Sequence, residues 1–218
     1  MLYLVSTPIG NIGDITYRAI EVLFRSNYIL AEDTRRTKKL LLKYEIRNRL
    51  ISYNDINKKK KTPAIIKDLI NGLDIALVTD SGTPGISDPG FYLVRECIKS
   101  NIKISPIPGS TAAISALICS GLPTDKFSFY GFLPKTQGKL INLLKEIRSI
   151  NHTVVFYESP HRILKTLQMI SEIMPEKQVV VAREMTKKFE EFIRGTPDQV
   201  LTQLKSKKIQ GEFTVVIK

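Results

Sequence analysis

Residues 74–90, DIALVTDSGTPGISDPG, decide how the rest of this sequence is read. The first part is continuously apolar from Ile75 to Val78, with no polar alternation. A strand of that kind is covered on both faces, as in the middle of a parallel sheet. The second part packs three glycines and two prolines into residues 80–90. Pro84 and Pro89 stiffen the loop at low entropic cost. Gly82 and Gly85 remove side chains where a ligand approaches backbone, or permit positive φ. A buried strand thus ends in a stiff loop rich in bare backbone, and in open α/β sheets ligands bind at such strand ends.

Outward from that strand, short apolar runs alternate with helical periodicity. LYLVS at the start is a first strand, TYRAIEVLFRS an amphipathic helix with Ala19, Ile20, Leu23 and Phe24 on one face, and YILA a second strand. A basic helix, RRTKKLLLKY, precedes a short strand, RLISY. PAIIKDLING reads as a helix opening on Pro63 and ending on Gly72. After the central strand come helix FYLVRECIKS, strand IKISPI and the small-residue helix STAAISALICS. The expected fold is α/β with a largely parallel first sheet. A junction at Gly121-Leu122-Pro123 divides it into an N-terminal α/β domain, 1–121, and a C-terminal α/β domain, 122–218. The second domain adds hairpin-like strands, QVVVAREM and EEFIRG, so its sheet is expected to be mixed.

Composition narrows the function. With 218 residues and 43% hydrophobic content there is enough chain for two cores. The apolar runs are strand-sized, and the N-terminus reads as a strand rather than a signal peptide, so a cytoplasmic protein is expected. Cys97 and Cys119 lie in helical patterns and read as reduced core thiols, and the two Cys and two His offer no metal spacing. The net charge is +12, and it is concentrated. Residues 34–67 hold twelve basic residues against Glu45 and Asp55, an excess of ten. Such a segment points to a polyanionic partner. Tyr44 and Tyr53 lie within it and either stack on a splayed base or pack against a core edge.

Three more strand ends carry unusual punctuation: STPIGN at residues 6–11, PIPGSTAA at 106–113 and YGFLP at 130–134. Ser110 and Thr111 open a helix, where hydroxyls and free amides meet polar ligand atoms. TPIGNIG supplies only Gly10 and Gly13, and QGKL lacks the first Gly and the Ser/Thr of a P-loop. Dinucleotide and nucleoside-triphosphate binding are therefore disfavoured. A ligand held by backbone and small side chains, without a phosphate cradle, fits better.

The motifs TPIGNIGDIT, AEDTR, DSGTPGISDPG, IPGSTAA, GLPTDKFSFYGFLP, FYESPHR and REMTKKFEE, in this order over nearly the whole chain, resemble the tetrapyrrole-methylase superfamily. Within it they are similar to the branch that methylates a cytidine ribose 2′-oxygen of small-subunit ribosomal RNA. The resemblance implies two α/β domains with S-adenosylmethionine in the cleft between them, a homodimer and no metal. By motif position, Pro8, Ser81, Gly82, Thr83, Ile86, Thr111, Ala112, Phe132, Leu133 and Ala182 are implied to line the cofactor pocket. Thr83 stands where the tetrapyrrole enzymes have the Asp of a Gly-Asp-Pro triplet. Members of this branch often continue into a helical tail, whereas this sequence stops at Lys218, and SYNDIN at 52–57 replaces a version with His and Glu.

Transfer to a ribose hydroxyl needs alignment first, then a base or a cation. The candidates are Glu184, Lys187, Glu158 and Asp33. The RNA-contact candidates are Arg35, Arg36, Lys38, Lys39, Tyr53, Lys59, Lys60, His161 and Arg162. Some fit plainer roles: Ser159-Pro160 an N-cap and first-turn proline, His161 a surface residue, and Glu158 with Arg162 a pair. A methylase of a small tetrapyrrole and a non-catalytic RNA-binding module use many of the same residues. The basic excess disfavours the first, because one small carboxylated ring does not need it.

Overall fold

The computed structural model describes residues 1–218, which form two compact units, Met1–Thr111 and Ala112–Lys218. The first unit runs β1 (Leu2–Val5), α1 (Tyr17–Arg25), β2 (Tyr28–Ala31), α2 (Thr34–Lys43), β3 (Leu50–Ser52), α3 (Lys58–Ile70), β4 (Ile75–Val78), α4 (Gly90–Lys99) and β5 (Ile104–Ile107). Its strands are all parallel, in the order β3-β2-β4-β1-β5. β4 lies at the centre, as its unbroken apolar run requires, and all four of its residues are buried.

Strand periodicity sorts this unit into two layers. Ile75 and Leu77 of β4 join Leu2, Leu30, Ile65, Leu69, Leu93 and Cys97, so α3 and α4 cover that face. Ala76 and Val78 join Val5, Ile29, Ala31, Ala19, Leu23 and Leu41, so α1 and α2 cover the other. The chain moves outward from β1 to β3, returns to insert β4 beside β1, and then adds β5 beyond β1. The direction of winding therefore reverses at β1, and the loops after β1, β4 and β5 sit at that reversal.

Local chemistry sets several element ends differently from the sequence reading. α3 opens at Lys58, not Pro63, which lies inside the helix. The cause is an asparagine turn. Asn54 Oδ1 accepts from the amides of Ile56 and Asn57, both at 3.2 Å, and the Asn54 carbonyl accepts from Lys58 N at 2.9 Å. Asn57 Nδ2 donates back to Ser52, at 3.3 Å to its carbonyl and 3.2 Å to its hydroxyl. SYNDIN is thus a helix-starting knot. Phe24 is 64% exposed, because it lies about 100° around α1 from the buried Leu23. Cys97 is buried in the core, where burial pushes its thiol up to about 11, but Cys119 is exposed.

The second unit runs α5 (Ala112–Ser120), β6 (Phe127–Phe132), α6 (Gln137–Arg148), β7 (Thr153–Glu158), α7 (Ile163–Ile173), β8 (Val179–Arg183), β9 (Glu191–Gly195), α8 (Pro197–Lys205) and β10 (Phe213–Ile217). The strand order is β6-β7-β10-β8-β9, with only β6 and β7 parallel, so the sheet is mixed. α6, α7 and α8 cover one face through Leu144, Leu167 and Leu204 against Val154, Val181 and Val215. α5 covers the other, packing on β7, β8 and β10. Its small residues Ala113 and Ala116 permit that close approach. The division consequently falls before α5, at Thr111–Ala112, ten residues ahead of the expected junction. α7 begins at Ile163, so Ser159-Pro160 is a turn and not a helix cap; the Ser159 carbonyl accepts from the amides of Arg162 and Ile163.

Candidate functional site

Three loops meet at the winding reversal of the first sheet. Thr7 and Gly82 exchange backbone hydrogen bonds, N to O at 2.9 Å and 3.1 Å, forming an antiparallel bridge across the ends of β1 and β4. Gly82 has φ of +83°, a conformation that other residues adopt only at a cost. Thr83 Oγ1 donates to the Ser110 carbonyl at 3.2 Å and lies 2.9 Å from Ser6 Oγ. A hydroxyl carries one proton, so Ser6 is the donor in the second bond. Gly109 lies so close to Ser6 that a Cβ there would stand 2.9 Å from the Ser6 Cβ. These contacts clasp the loops after β1, β4 and β5 into one surface.

Asp88 closes the loop after β4. Its oxygens accept from Gly85 N at 2.9 and 2.8 Å and from Gly90 N at 2.7 Å. Burial nevertheless raises its pKa above the ordinary carboxylate value, against the pull of those amides. Burial also raises Asp80, with the nearby Glu32 carboxylate adding to it. Residues 6–9, 79–90 and 108–111 contribute no basic residue, and their two carboxylates are already engaged: Asp88 on the amides of its own loop, Asp80 on Asp33 N at 2.9 Å with Arg36 3.5 Å away. What remains to meet a ligand is hydroxyls and bare backbone, with no phosphate-binding lysine or arginine contributed by these loops. Ser81 and Ile86 are exposed on this loop, and Pro8 and Thr111 are half-buried beside it. Ser6, Gly109 and Asp88 escaped the sequence reading. Each nevertheless lies in one of the punctuated strand-end loops that the sequence picks out.

The basic segment is divided by the sheet. α2 lies on one face and α3 on the other. On α2, Thr37, Leu40 and Leu41 point inward, leaving Lys38 and Lys39 exposed. Arg35 pairs with Asp33 at 2.7 Å, and Arg36 lies 3.5 Å from Asp80. Asp33 is the N-cap of α2, accepting from Arg35 N at 2.8 Å, and its hydrogen bonds with Arg35 hold its carboxyl far below the usual range. That is a helix cap and a poor proton acceptor, which corrects its place among the bases. On α3, Lys58 turns to Asp55 at 2.6 Å and Lys61 to the Ser52 carbonyl at 2.6 Å. Lys59 and Lys60 remain exposed, with no carboxylate in ion-pair range. Tyr53 cannot stack on a base: it is fully buried, its hydroxyl 2.9 Å from Thr62 Oγ1, and burial pushes its phenol up to about 12. Tyr44 donates to the Ile12 carbonyl at 2.7 Å.

In the second unit, Glu158 is buried and spoken for. It accepts from Ser159 N at 2.8 Å and from Thr166 Oγ1 at 2.7 Å, with Arg162 3.6 Å away. Arg162 in turn donates to the carbonyls of Leu133 at 3.1 Å and Pro134 at 2.8 Å. The two hold the loop after β6, which corrects both the catalytic reading of Glu158 and the phosphate reading of Arg162. His161 is exposed beside them. Phe132, the last residue of β6, is 59% exposed and 5.6 Å from the Tyr157 ring, while Leu133 and Ala182 are buried.

At the end of β8, Lys187 bridges Glu184 at 2.9 Å and Glu212 at 3.0 Å. Burial alone would raise the Glu184 carboxyl, but the Lys187 hydrogen bond and the Glu212 amide bring it below its ordinary value. Burial likewise opposes the charge on Lys187, and its two carboxylate partners outweigh it, so its pKa is raised. Neither group is therefore poised to exchange a proton near neutral pH.

The family model for tetrapyrrole (corrin/porphyrin) methylases matches residues 1–201. Among curated relatives, ribosomal RNA small subunit methyltransferase I of Halalkalibacterium halodurans is 47% identical over 216 residues, covering 99% of this chain and 75% of that protein. Its counterpart in Thermotoga maritima is 46% identical over 216 residues, covering 99% and 97%. A Thermus thermophilus uroporphyrin-III C-methyl transferase, solved in complex with S-adenyl homocysteine, shares the fold with a TM-score of 0.66 at 14% identity, covering 99% of this chain and 96% of that one. The chain thus belongs to the tetrapyrrole (corrin/porphyrin) methylase family, and within it to the ribosomal RNA small subunit methyltransferase I group.

Proposed function

We propose that this protein is an S-adenosylmethionine-dependent methyltransferase that modifies a cytidine ribose 2′-oxygen in small-subunit ribosomal RNA. The observation that carries the reading is the clasped loop surface of the first unit, where hydroxyls and bare backbone from three strand ends are held together. Bound there, S-adenosylmethionine supplies an activated methyl on a positively charged sulfur. The lining fits that group: hydroxyls meet its polar atoms, and the bridge at Gly82 and the close approach at Gly109 keep backbone accessible. The clasp from Ser6 through Thr83 to Ser110 fixes the loops before the ligand arrives, which favours alignment of the bound methyl donor.

RNA is held through phosphates by Lys38, Lys39, Lys59 and Lys60. Lys59 and Lys60 stand in the first turn of α3, where the helix dipole is already positive. That placement is unfavourable without an anion and becomes favourable when a phosphate docks. A tetrapyrrole has no need of such lysines. The protein acts in the cytoplasm as a homodimer. No helix is long and apolar enough to cross a membrane. Phe91 and Ile98, seven apart on one face of α4, are 66% and 63% exposed and offer an apolar seam to a second copy.

Nucleoside mass spectrometry of small-subunit RNA from cells with and without the protein tests the reading. A 2′-O-methylcytidine that vanishes with the gene, and returns when purified protein and S-adenosylmethionine are added to unmodified subunits, is the expected result. An unchanged nucleoside profile rejects it. Sedimentation at twice 24.7 kDa tests the dimer.

A further inference from the structure

The second unit carries a basic surface cavity of about 620 Å3 that the function above does not use. It lies between the β8–β9 turn and the segment joining α8 to β10. Its two carboxylates are already engaged. Glu191 pairs with Lys207 and lies 3.8 Å from Arg183, and Glu190 accepts from Thr186 N at 2.6 Å. Arg183 is turned inward onto the carbonyls of Gln210 at 3.0 Å and Lys208 at 2.9 Å. Lys188 and Lys208 are left with no carboxylate in ion-pair range.

The same cavity is lined by an aromatic ring held out in water. Phe189 is 64% exposed, and the Lys188 ammonium lies 5.6 Å from its ring centroid. The turn beneath it is rigidly made. Lys187 N donates to the Glu184 carbonyl at 3.0 Å, Glu190 N to the Lys187 carbonyl at 3.1 Å, and Glu184 and Thr186 both take positive φ. Those bonds fix the backbone on either side of Phe189.

We propose that this cavity is a second RNA contact, in which an unpaired base stacks on Phe189 and its flanking phosphates meet Lys188 and Lys208. An exposed ring with one ammonium over one of its faces and a second in the same cavity matches a single strand, which offers flat faces and phosphates together. An acidic peptide would use the cations and leave the ring idle. A duplex would keep its base faces stacked inside. The inference rests on the RNA reading above and adds a site on the other unit.

The test measures fluorescence anisotropy of a labelled single-stranded oligouridylate with the full chain, across a range of salt. Phe189→Leu keeps apolar bulk and removes the ring, Phe189→Trp keeps a ring, and Lys188→Ala combined with Lys208→Ala removes the cations. Circular dichroism and S-adenosylhomocysteine calorimetry show that each variant is folded. Phe189→Leu should weaken binding roughly 5- to 150-fold, the range for one stacked base, while Phe189→Trp stays near wild type. The double lysine variant should lower the slope of log affinity against log salt by about 0.7 for each lysine. Binding by Phe189→Leu within about twofold of wild type overturns the proposal. Loss of binding to polyglutamate but not to oligouridylate also overturns it and assigns the cavity to an acidic protein. A wild type that methylates subunits and binds the oligomer, beside an unaffected Phe189→Leu, rejects this cavity alone. A wild type that does neither rejects the RNA reading as well.

Discussion

Ser6 Oγ donates to Thr83 Oγ1 across 2.9 Å, and Thr83 passes its own proton on to the Ser110 carbonyl. One side chain in the loop after β4 thus reads the positions of the loops after β1 and β5. Ser6 is only 3% exposed, so its hydroxyl has little access to water as a substitute. Thr83→Val, close in shape but without the hydroxyl, should lower stability by about 1–3 kcal/mol. It should also weaken S-adenosylhomocysteine binding, whereas Thr83→Ser keeps both bonds. Urea unfolding and calorimetry on the pair of variants check this.

Gly109→Ala adds a Cβ at 2.9 Å from that of Ser6, inside normal contact. The loops must part to admit it. Cofactor affinity should fall roughly tenfold, with a smaller change in unfolding midpoint, because a loop shift misaligns a ligand more than it unpacks a core. Equal affinity in the variant would show that the close approach has no part in binding.

The Lys187 bridge gives a stability with defined pH limits. The folded pKa of Glu184 lies below its ordinary 4.5, so its contribution is complete above that value and is lost as pH falls through the folded value. That of Lys187 lies above 10.5, so its contribution is complete below that value and is lost as pH rises through the folded one. Lys187→Met should therefore destabilise by about 1 kcal/mol at neutral pH. The deficit should shrink in acid once Glu184 protonates. Denaturant titrations at pH 7 and at acid pH measure the difference.

Lys59→Ala and Lys60→Ala should each reduce the salt slope of RNA binding by about 0.7 to 0.9 and leave the cofactor isotherm unchanged. Lys61→Ala should change the slope less, because that ammonium is held on the Ser52 carbonyl at 2.6 Å. Anisotropy at graded potassium chloride separates the two cases.

Tyr53→Phe should cost about 1 kcal/mol of stability, the worth of its hydrogen bond to Thr62. RNA affinity should not change, since the ring is enclosed by the first core. A binding loss larger than the stability loss would restore Tyr53 to the RNA surface.

Much of this was legible in the residues. The apolar run of β4 located the middle of the first sheet, and the glycine and proline spacing after it located the loop that the clasp holds. Lys59 and Lys60, singled out as RNA contacts, are exposed. The missed features depend on partners distant in sequence. The periodicity of α5 could show an apolar helix but not which sheet it covers. The pairing of Arg162 with Glu158 could be read from sequence, but not the bonds of Arg162 to the carbonyls of Leu133 and Pro134. Tyr53 has polar neighbours in sequence and apolar neighbours in space. The start of α3 was hidden because four consecutive lysines look like a solvated loop, whereas side-chain bonds from Asn54 and Asn57 open the helix.

β4 is bonded to strands on both sides and sealed by helices above and below. Deuterium will reach the amides of Ile75–Val78 only when the whole unit opens, long after it has entered the edge strand β3. The clasped loop grows directly from that slowest-exchanging stem. On warming, its root will outlast the rim of the sheet, so loss of ligand binding and global melting of the unit will track one another as a single event.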